Sequence, residues 1–123
     1  MPERTLVAAH GRPVPEIKAD LFRSLAHPAR IRVLEVLADG ERSVGEMQPL
    51  VGIESSHLSQ QLAVLRRAGL VTTRKEGSMV FYATRDPAIV ELLAAARRVL
   101  ISSLAESEEV LAGLRKEAGE DGR

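Results

Sequence analysis

The chain predicts a mainly α fold with one small β-hairpin, and three observations carry that expectation. Its 123 residues are 45% hydrophobic and 28% charged, the profile of a single soluble globular domain with a modest core. The aromatics are only Phe22, Phe81 and Tyr82, against abundant Leu, Val and Ala, a composition that suits helix packing better than a β-sandwich or an aromatic-lined pocket. Apolar residues recur at helical spacing along most of the chain, and the pattern turns β-rich only in "LVTTRKEGSMVFYAT", residues 70–84.

Several function classes fall away at once. With no cysteine, disulfides, thiolate metal sites, cysteine nucleophiles and thiol redox sensing are excluded together. No apolar stretch reaches the roughly 18 to 20 residues that span a bilayer, and Met1 to Pro15 lacks the apolar centre of a signal peptide. The chain is therefore expected to stay in the cytoplasm, with no membrane partner. An enzyme would need a nucleophile with its base, or a carboxylate pair in a cleft, and Ser55, Ser56 and His57 offer adjacency only. The net charge is zero, yet it is unevenly spread. Residues 42–85 carry six Lys/Arg against three Asp/Glu, and residues 86–123 carry five against eight. A basic middle segment suits a polyanionic partner.

Residues 1–15, with prolines, a glycine and no lasting periodicity, read as a flexible arm, and 119–123 as a disordered tail. From Glu16, Ile17, Leu21 and Leu25 mark a first helix that Pro28 ends, because proline disfavours α geometry in the residue before it. Pro28 then opens a second helix, with Ile31, Leu34 and Leu37 as its stripe and Asp39-Gly40 as its stop. Ser43 and Glu46 form a capping box for a short third helix with Val44, Met47 and Leu50 on its apolar side, which Pro49 should shorten or distort before Val51-Gly52. The fourth helix starts at Glu54 or Ser55 and stops at Gly69. A hairpin turning around Glu76-Gly77-Ser78 follows. From Asp86 as N-cap and Pro87 as first helical residue, a helix of about thirty residues carries Ile89, Leu93, Ala96, Leu100, Leu104, Leu111 and Leu114, a stripe longer than a domain this small can cover. A second copy of the chain is its natural cover. Five helices with a hairpin after the fourth and a long last helix make a winged helix-turn-helix, spanning 16–118.

The fourth helix holds the chemistry. At 100° per residue, Leu58, Leu62 and Leu65 lie within about 60° of one another and face the core. Opposite them are Ser56, His57, Gln60, Ala63, Val64 and Arg67, with Ser55 and Ser59 on the flank toward the helix start. Small and short polar side chains let a helix backbone enter a major groove about 12 Å wide, where Gln suits adenine and Ser several partners. Arg66 and Arg67 at the helix end, and Arg74, Lys75 and Ser78 on the hairpin, are placed to meet phosphate.

The stretches "LFRSLAHPARIRVLEVLADGERSVGEM", "SSHLSQQLAVLRRAGLV" and "RKEGSMVFYAT" together resemble the ArsR/SmtB family of bacterial repressors, over about residues 16 to 100. The resemblance implies a homodimer built from the first and last helices, on which Ile17, Leu21, Leu93, Leu100, Leu104 and Leu111 are the candidate interface residues. It also implies a double-stranded DNA operator of pseudo-palindromic form, and an effector that weakens the grip on DNA. The family's base-reading positions fall on Ser56, His57, Ser59 and Gln60, beside Ser55, and its basic wing positions on Arg74 and Lys75. Two positions depart from the pattern: Glu54 stands where many members have Ser or Thr, and Gln60 where many have His. The family's metal sites are absent. "SVGEMQPL" replaces the C-x-C motif, and Ala88 and Val99 stand where imidazoles would follow Asp86. The remaining histidines are His10 in the arm, His27 capping the second helix and His57. No metal and no cofactor is expected, which leaves a small organic effector between the first and last helices, a partner protein, or no inducer. The competing reading is a winged-helix protein adaptor that docks a partner and shows no preference among DNA sequences.

Overall fold

The computed structural model describes residues 11–119. Expectations for residues 1–10 and 120–123, in the arm and tail, lie outside them. The elements are α1 (Val14–Leu25), α2 (Pro28–Leu37), β1 (Arg42–Ser43), α3 (Val44–Val51), α4 (Ser55–Arg67), β2 (Val71–Glu76), β3 (Met79–Thr84) and α5 (Pro87–Glu117). The chain divides into two compact units, one up to Val90 and one from Glu91.

In the first unit, α1 begins at Val14, two residues earlier than its apolar spacing implied. Pro13 is the extended N-cap and Pro15 sits in the first turn, where a missing N–H costs no intrahelical bond. Asp20 of α1 pairs with Arg12 at 2.6 Å and with Arg23, and these hydrogen bonds, that of Arg12 first, hold its carboxyl below the usual carboxylate range. Between α1 and α2 the His27 ring caps α2, its Nδ1 accepting from the Ala29 N–H at 3.1 Å.

The stripe of α2 differs from its expected course. Val33, Leu34, Val36 and Leu37 are buried, whereas Ile31 is only half-buried. The reason is position: α2 packs against α3, α4 and β3, so it buries more than one side and a single stripe does not describe it. Arg30, on the same helix, donates its Nε to the Gln61 side-chain Oε1 at 2.8 Å and an Nη to the Ser24 backbone carbonyl at 3.1 Å. One guanidinium thus ties the end of α1 to α4.

Ser43 and Glu46 form the capping box, with Ser43 Oγ accepting from the Glu46 N–H at 3.2 Å and Glu46 Oε1 accepting from the Ser43 N–H at 2.8 Å. Pro49 is accommodated inside α3, which stops at Gly52 in the left-handed conformation at φ +78°. Met47 is fully buried, but Leu50 is 42% exposed. The sheet is antiparallel in the order β1-β3-β2. Its edge strand β1, two residues long, was not foreseen because two residues show no alternation. The hairpin turns on Gly77-Ser78, with positive φ at Gly77 alone, as a type II′ turn requires. Asp86 caps α5, its Oδ1 accepting from the Ala88 N–H at 2.9 Å, and Ile89 is the buried residue of the first turn.

The second unit is the rest of α5, 31 residues in all. Val99, Leu100, Ile101, Leu104, Val110, Leu111 and Leu114 are 46% to 65% exposed. Among the described residues no helix is long and apolar enough to cross a membrane.

Candidate nucleic-acid interface

The link between α3 and α4 is fixed by one side chain. Gln48 donates its amide to the Ile53 carbonyl and accepts the Ser55 hydroxyl proton at 3.1 Å, so it fastens the end of one helix to the start of the next. Glu54, the N-cap of α4, makes no side-chain capping bond and is exposed. At the other end, the Leu70 N–H reaches the Leu65 carbonyl at 2.9 Å and the Gly69 N–H the Arg66 carbonyl at 3.0 Å, a Schellman closure with Leu65 and Leu70 both buried.

Those two ends set which side of α4 is available. Leu58, Leu62 and Leu65 are buried as their spacing demands. Gln61 joins them, only 7% exposed, with its carbonyl oxygen satisfied by Arg30. A buried glutamine must find a partner, and the sequence did not reveal which. Ser55, Ser56, Ser59 and Gln60 stand exposed, with Arg66 and Arg67 further along the same helix. The Ser55 hydroxyl, its proton already given to Gln48, is left as an acceptor. His57 is half-buried, its ring edge-on to that of His27 with centroids 5.8 Å apart. It is therefore the one predicted base-reading residue on α4 with a side chain engaged toward the α2 start.

The hairpin separates two residues that sequence proximity had grouped. Arg74 is opposite Phe81, and Lys75 opposite Val80, so strand alternation puts them on opposite faces. Arg74 is heavily engaged. It makes a two-pronged pair with Glu41 at 2.8 and 2.9 Å, a further pair with Glu76 at 3.4 Å, and lies 4.7 Å over the Phe81 ring. Lys75 and Ser78 are exposed, Ser78 at the tip.

The Arg74 hydrogen bonds hold the Glu41 carboxyl below its ordinary range. A carboxyl so lowered contributes stability fully above its unfolded-state value and loses it as pH falls through the folded one. Glu41→Gln should therefore lower the thermal midpoint slightly at neutral pH, and the difference should close as the solution is acidified below the carboxylate range. A difference that persists in strong acid would assign the effect to shape rather than charge.

Beside α4, at the base of the hairpin, opens a cleft of about 510 Å³ lined by Ser59, Ala63, Arg66, Arg67, Gly69, Tyr82 and Arg85. Tyr82 shares its sheet face with Lys75. The Arg85 Nε donates to the Gly69 carbonyl at 2.9 Å, and its backbone N–H to the Leu70 carbonyl at 3.0 Å. Sequence reading missed both Tyr82 and Arg85, since nothing in local spacing brings residue 85 back to the end of α4. Among the described residues no group of three or more His, Cys, Asp or Glu is placed to hold a metal ion.

Known proteins share this arrangement. A family model described as a helix-turn-helix domain matches residues 25–74. The HTH-type transcriptional regulator Rv0081 of Mycobacterium tuberculosis is 53% identical over 104 residues, 84% of this chain and 91% of the relative. Its crystal structure aligns with a TM-score of 0.71 at 52% identity, covering 79% of this chain and 98% of that one. The biofilm growth-associated repressor of Agrobacterium fabrum is 46% identical over 77 residues, 63% of this chain and 66% of the relative. The homodimeric winged helix-turn-helix DNA-binding domain of a possible ArsR-family regulator from Mycobacterium bovis, solved in solution, aligns with a TM-score of 0.67 at 26% identity, covering 80% and 95%. With five helices, a three-stranded wing and relatives of this kind, the chain belongs to the ArsR-type winged helix-turn-helix transcriptional regulators.

Proposed function

We propose that the protein is a homodimeric repressor that reads a pseudo-palindromic DNA operator with one α4 from each copy. The observation that carries this reading is the exposed polar face of α4, Ser55, Ser56, Ser59 and Gln60, held outward by the buried Leu58, Leu62 and Leu65. Apart from the Ser55 hydroxyl bonded to Gln48, this face gains nothing in the fold, and its side chains are short enough to let the helix backbone enter the major groove. In this reading those four residues and His57 meet base edges, while Arg66, Arg67, Lys75 and Ser78 meet the backbone. Arg74, paired with Glu41, serves chiefly to anchor the wing. Ile17, Leu21, Leu93, Leu100, Leu104 and Leu111 belong to the dimer interface. The exposed apolar residues of α5 and the homodimeric M. bovis domain support dimerisation, and the A. fabrum relative, named a repressor, supports the direction of regulation. The reading assigns no catalytic residue and no cofactor.

Two substitutions test it by differing in kind. Gln60→Ala should cost about 1 to 3 kcal/mol at one base position of each half-site and relax preference there. Lys75→Ala should weaken binding to every duplex and reduce the slope of log affinity against log salt by about one per chain. Both are read by salt-titrated binding to operator and random duplexes. A wild-type protein that prefers no duplex over random sequence would be an adaptor, and equal losses on both duplexes for Gln60→Ala would remove that residue from base reading.

A further inference from the structure

We propose that the cleft between α4 and the base of the hairpin seats one backbone phosphate of each half-site, with Arg85 as its fixed cation. The inference rests on the operator reading above and adds a residue to it. Three arginines, Arg66, Arg67 and Arg85, line one cleft, and its lining holds no acidic residue. Among the described residues no carboxylate lies within salt-bridge distance of any of the three, in contrast to Arg74, which Glu41 and Glu76 both neutralise. The uncompensated positive charge of this face therefore gathers in the cleft, with Lys75 beyond it, and not at Arg74, and a group of cations without counter-charge is a site for an anion.

Arg85 differs from an ordinary surface arginine in being held already. Its Nε is bonded to the Gly69 carbonyl and its backbone N–H to the Leu70 carbonyl, while its two terminal nitrogens make no bond among the described residues. A guanidinium anchored at Nε presents those terminal N–H groups as a fork, the geometry that meets two phosphate oxygens, and loses less rotamer freedom on binding. Ala63 and Gly69 contribute almost no side chain to the lining, which lets a sugar-phosphate backbone come close. The Tyr82 side chain brings a hydroxyl donor. Ser59 belongs both to the cleft and to the exposed flank of α4, so a phosphate held here is the immediate neighbour of the bases that α4 would read. Such a contact carries no sequence information but sets the register of the helix in the groove. Lys75, on the Tyr82 face of the sheet, continues the basic track toward the hairpin tip.

The test replaces operator phosphates one at a time with neutral methylphosphonates and measures affinity for wild type, Arg85→Gln and Tyr82→Phe. Wild type should lose affinity at the phosphate seated in the cleft of each half-site, besides those that Lys75 and Ser78 meet. Arg85→Gln should bind the unmodified operator about tenfold or more weaker per half-site, lower the salt slope by about one per chain and leave base preference intact. At the seated phosphate the two losses should not add, because the substitution has already removed the interaction. A urea midpoint for Arg85→Gln separates loss of the Gly69 anchor from loss of the phosphate contact, and Tyr82→Phe, which removes only a hydroxyl, should give a smaller loss at the same position. Additive losses at every position, or an unchanged salt slope, with specific binding otherwise retained, overturn this inference alone. Absence of preference for any duplex by wild type overturns the operator reading and this inference with it.

Discussion

Replacing Leu100 and Leu104 together with glutamate should turn a dimer into a monomer and lower operator affinity by about 10²- to 10⁴-fold, the range over which joined binding sites exceed single ones. The residues are 63% and 64% exposed, on a helix of 31 residues that extends about 47 Å at 1.5 Å per residue. Leu100 and Leu104 are four apart, Leu104 and Leu111 seven, and Leu111 and Leu114 three, the alternation that lines one seam when two helices pack. A seam of leucines has no reason to face water over that length, and a second copy of the same stripe is self-complementary across a two-fold axis. Two glutamates per chain bring four like charges together across the seam. Because neither leucine is buried within the chain, the first unit should keep its fold. Sedimentation at micromolar concentration reads the oligomeric state, and binding to duplexes with one or two half-sites reads the affinity. A double variant that remains dimeric, or a monomer that binds the full operator as tightly as wild type, would sink the seam.

The second large effect is on stability. Leu65→Ala should destabilise the first unit by about 2 to 5 kcal/mol, the combined cost of lost transfer energy and a cavity that collapses only in part. Leu65 is fully buried, so the whole side chain beyond Cβ is lost from the core. Against a domain stability of about 5 to 15 kcal/mol, that loss populates the unfolded state at physiological temperature. On the same helix, Ser59→Ala and Gln60→Ala should shift the urea midpoint by no more than about 0.5 kcal/mol in equivalent stability. The contrast would separate the two sides of α4: one side that folds the protein and the other that is proposed to read DNA. Comparable losses from all three would mean that the polar residues are part of the fold and would remove the chief argument for their role.

Caps and stops were legible in the chain because they are local. His27 before Pro28, the Ser43 and Glu46 capping box, Gly52, Gly69 and the Asp86-Pro87 pair all act within three or four residues of themselves, and each is where its spacing put it. The core side of α4 was legible for the same reason, since a 3.6-residue period is set by the backbone alone. The extent of α5 followed from an unbroken apolar period with no proline or glycine between Pro87 and Gly113.

What the chain alone determined is thus the sequence of helices, the hairpin and the polar face of α4, all consequences of short-range sterics and periodicity. What only the tertiary structure decided is which charges are spent within the fold and which remain for a ligand. Arg74 and Lys75 are neighbours of equal promise in the sequence, yet pleating turns them to opposite faces and Glu41, 33 residues away, claims one of them. Gln61 lies beside Gln60 and is buried on Arg30, 31 residues distant. Arg85 returns to the end of α4 only because β2 and β3 double back. Pairings between residues this far apart depend on how elements pack in space, and a one-dimensional pattern of spacing carries no record of that distance.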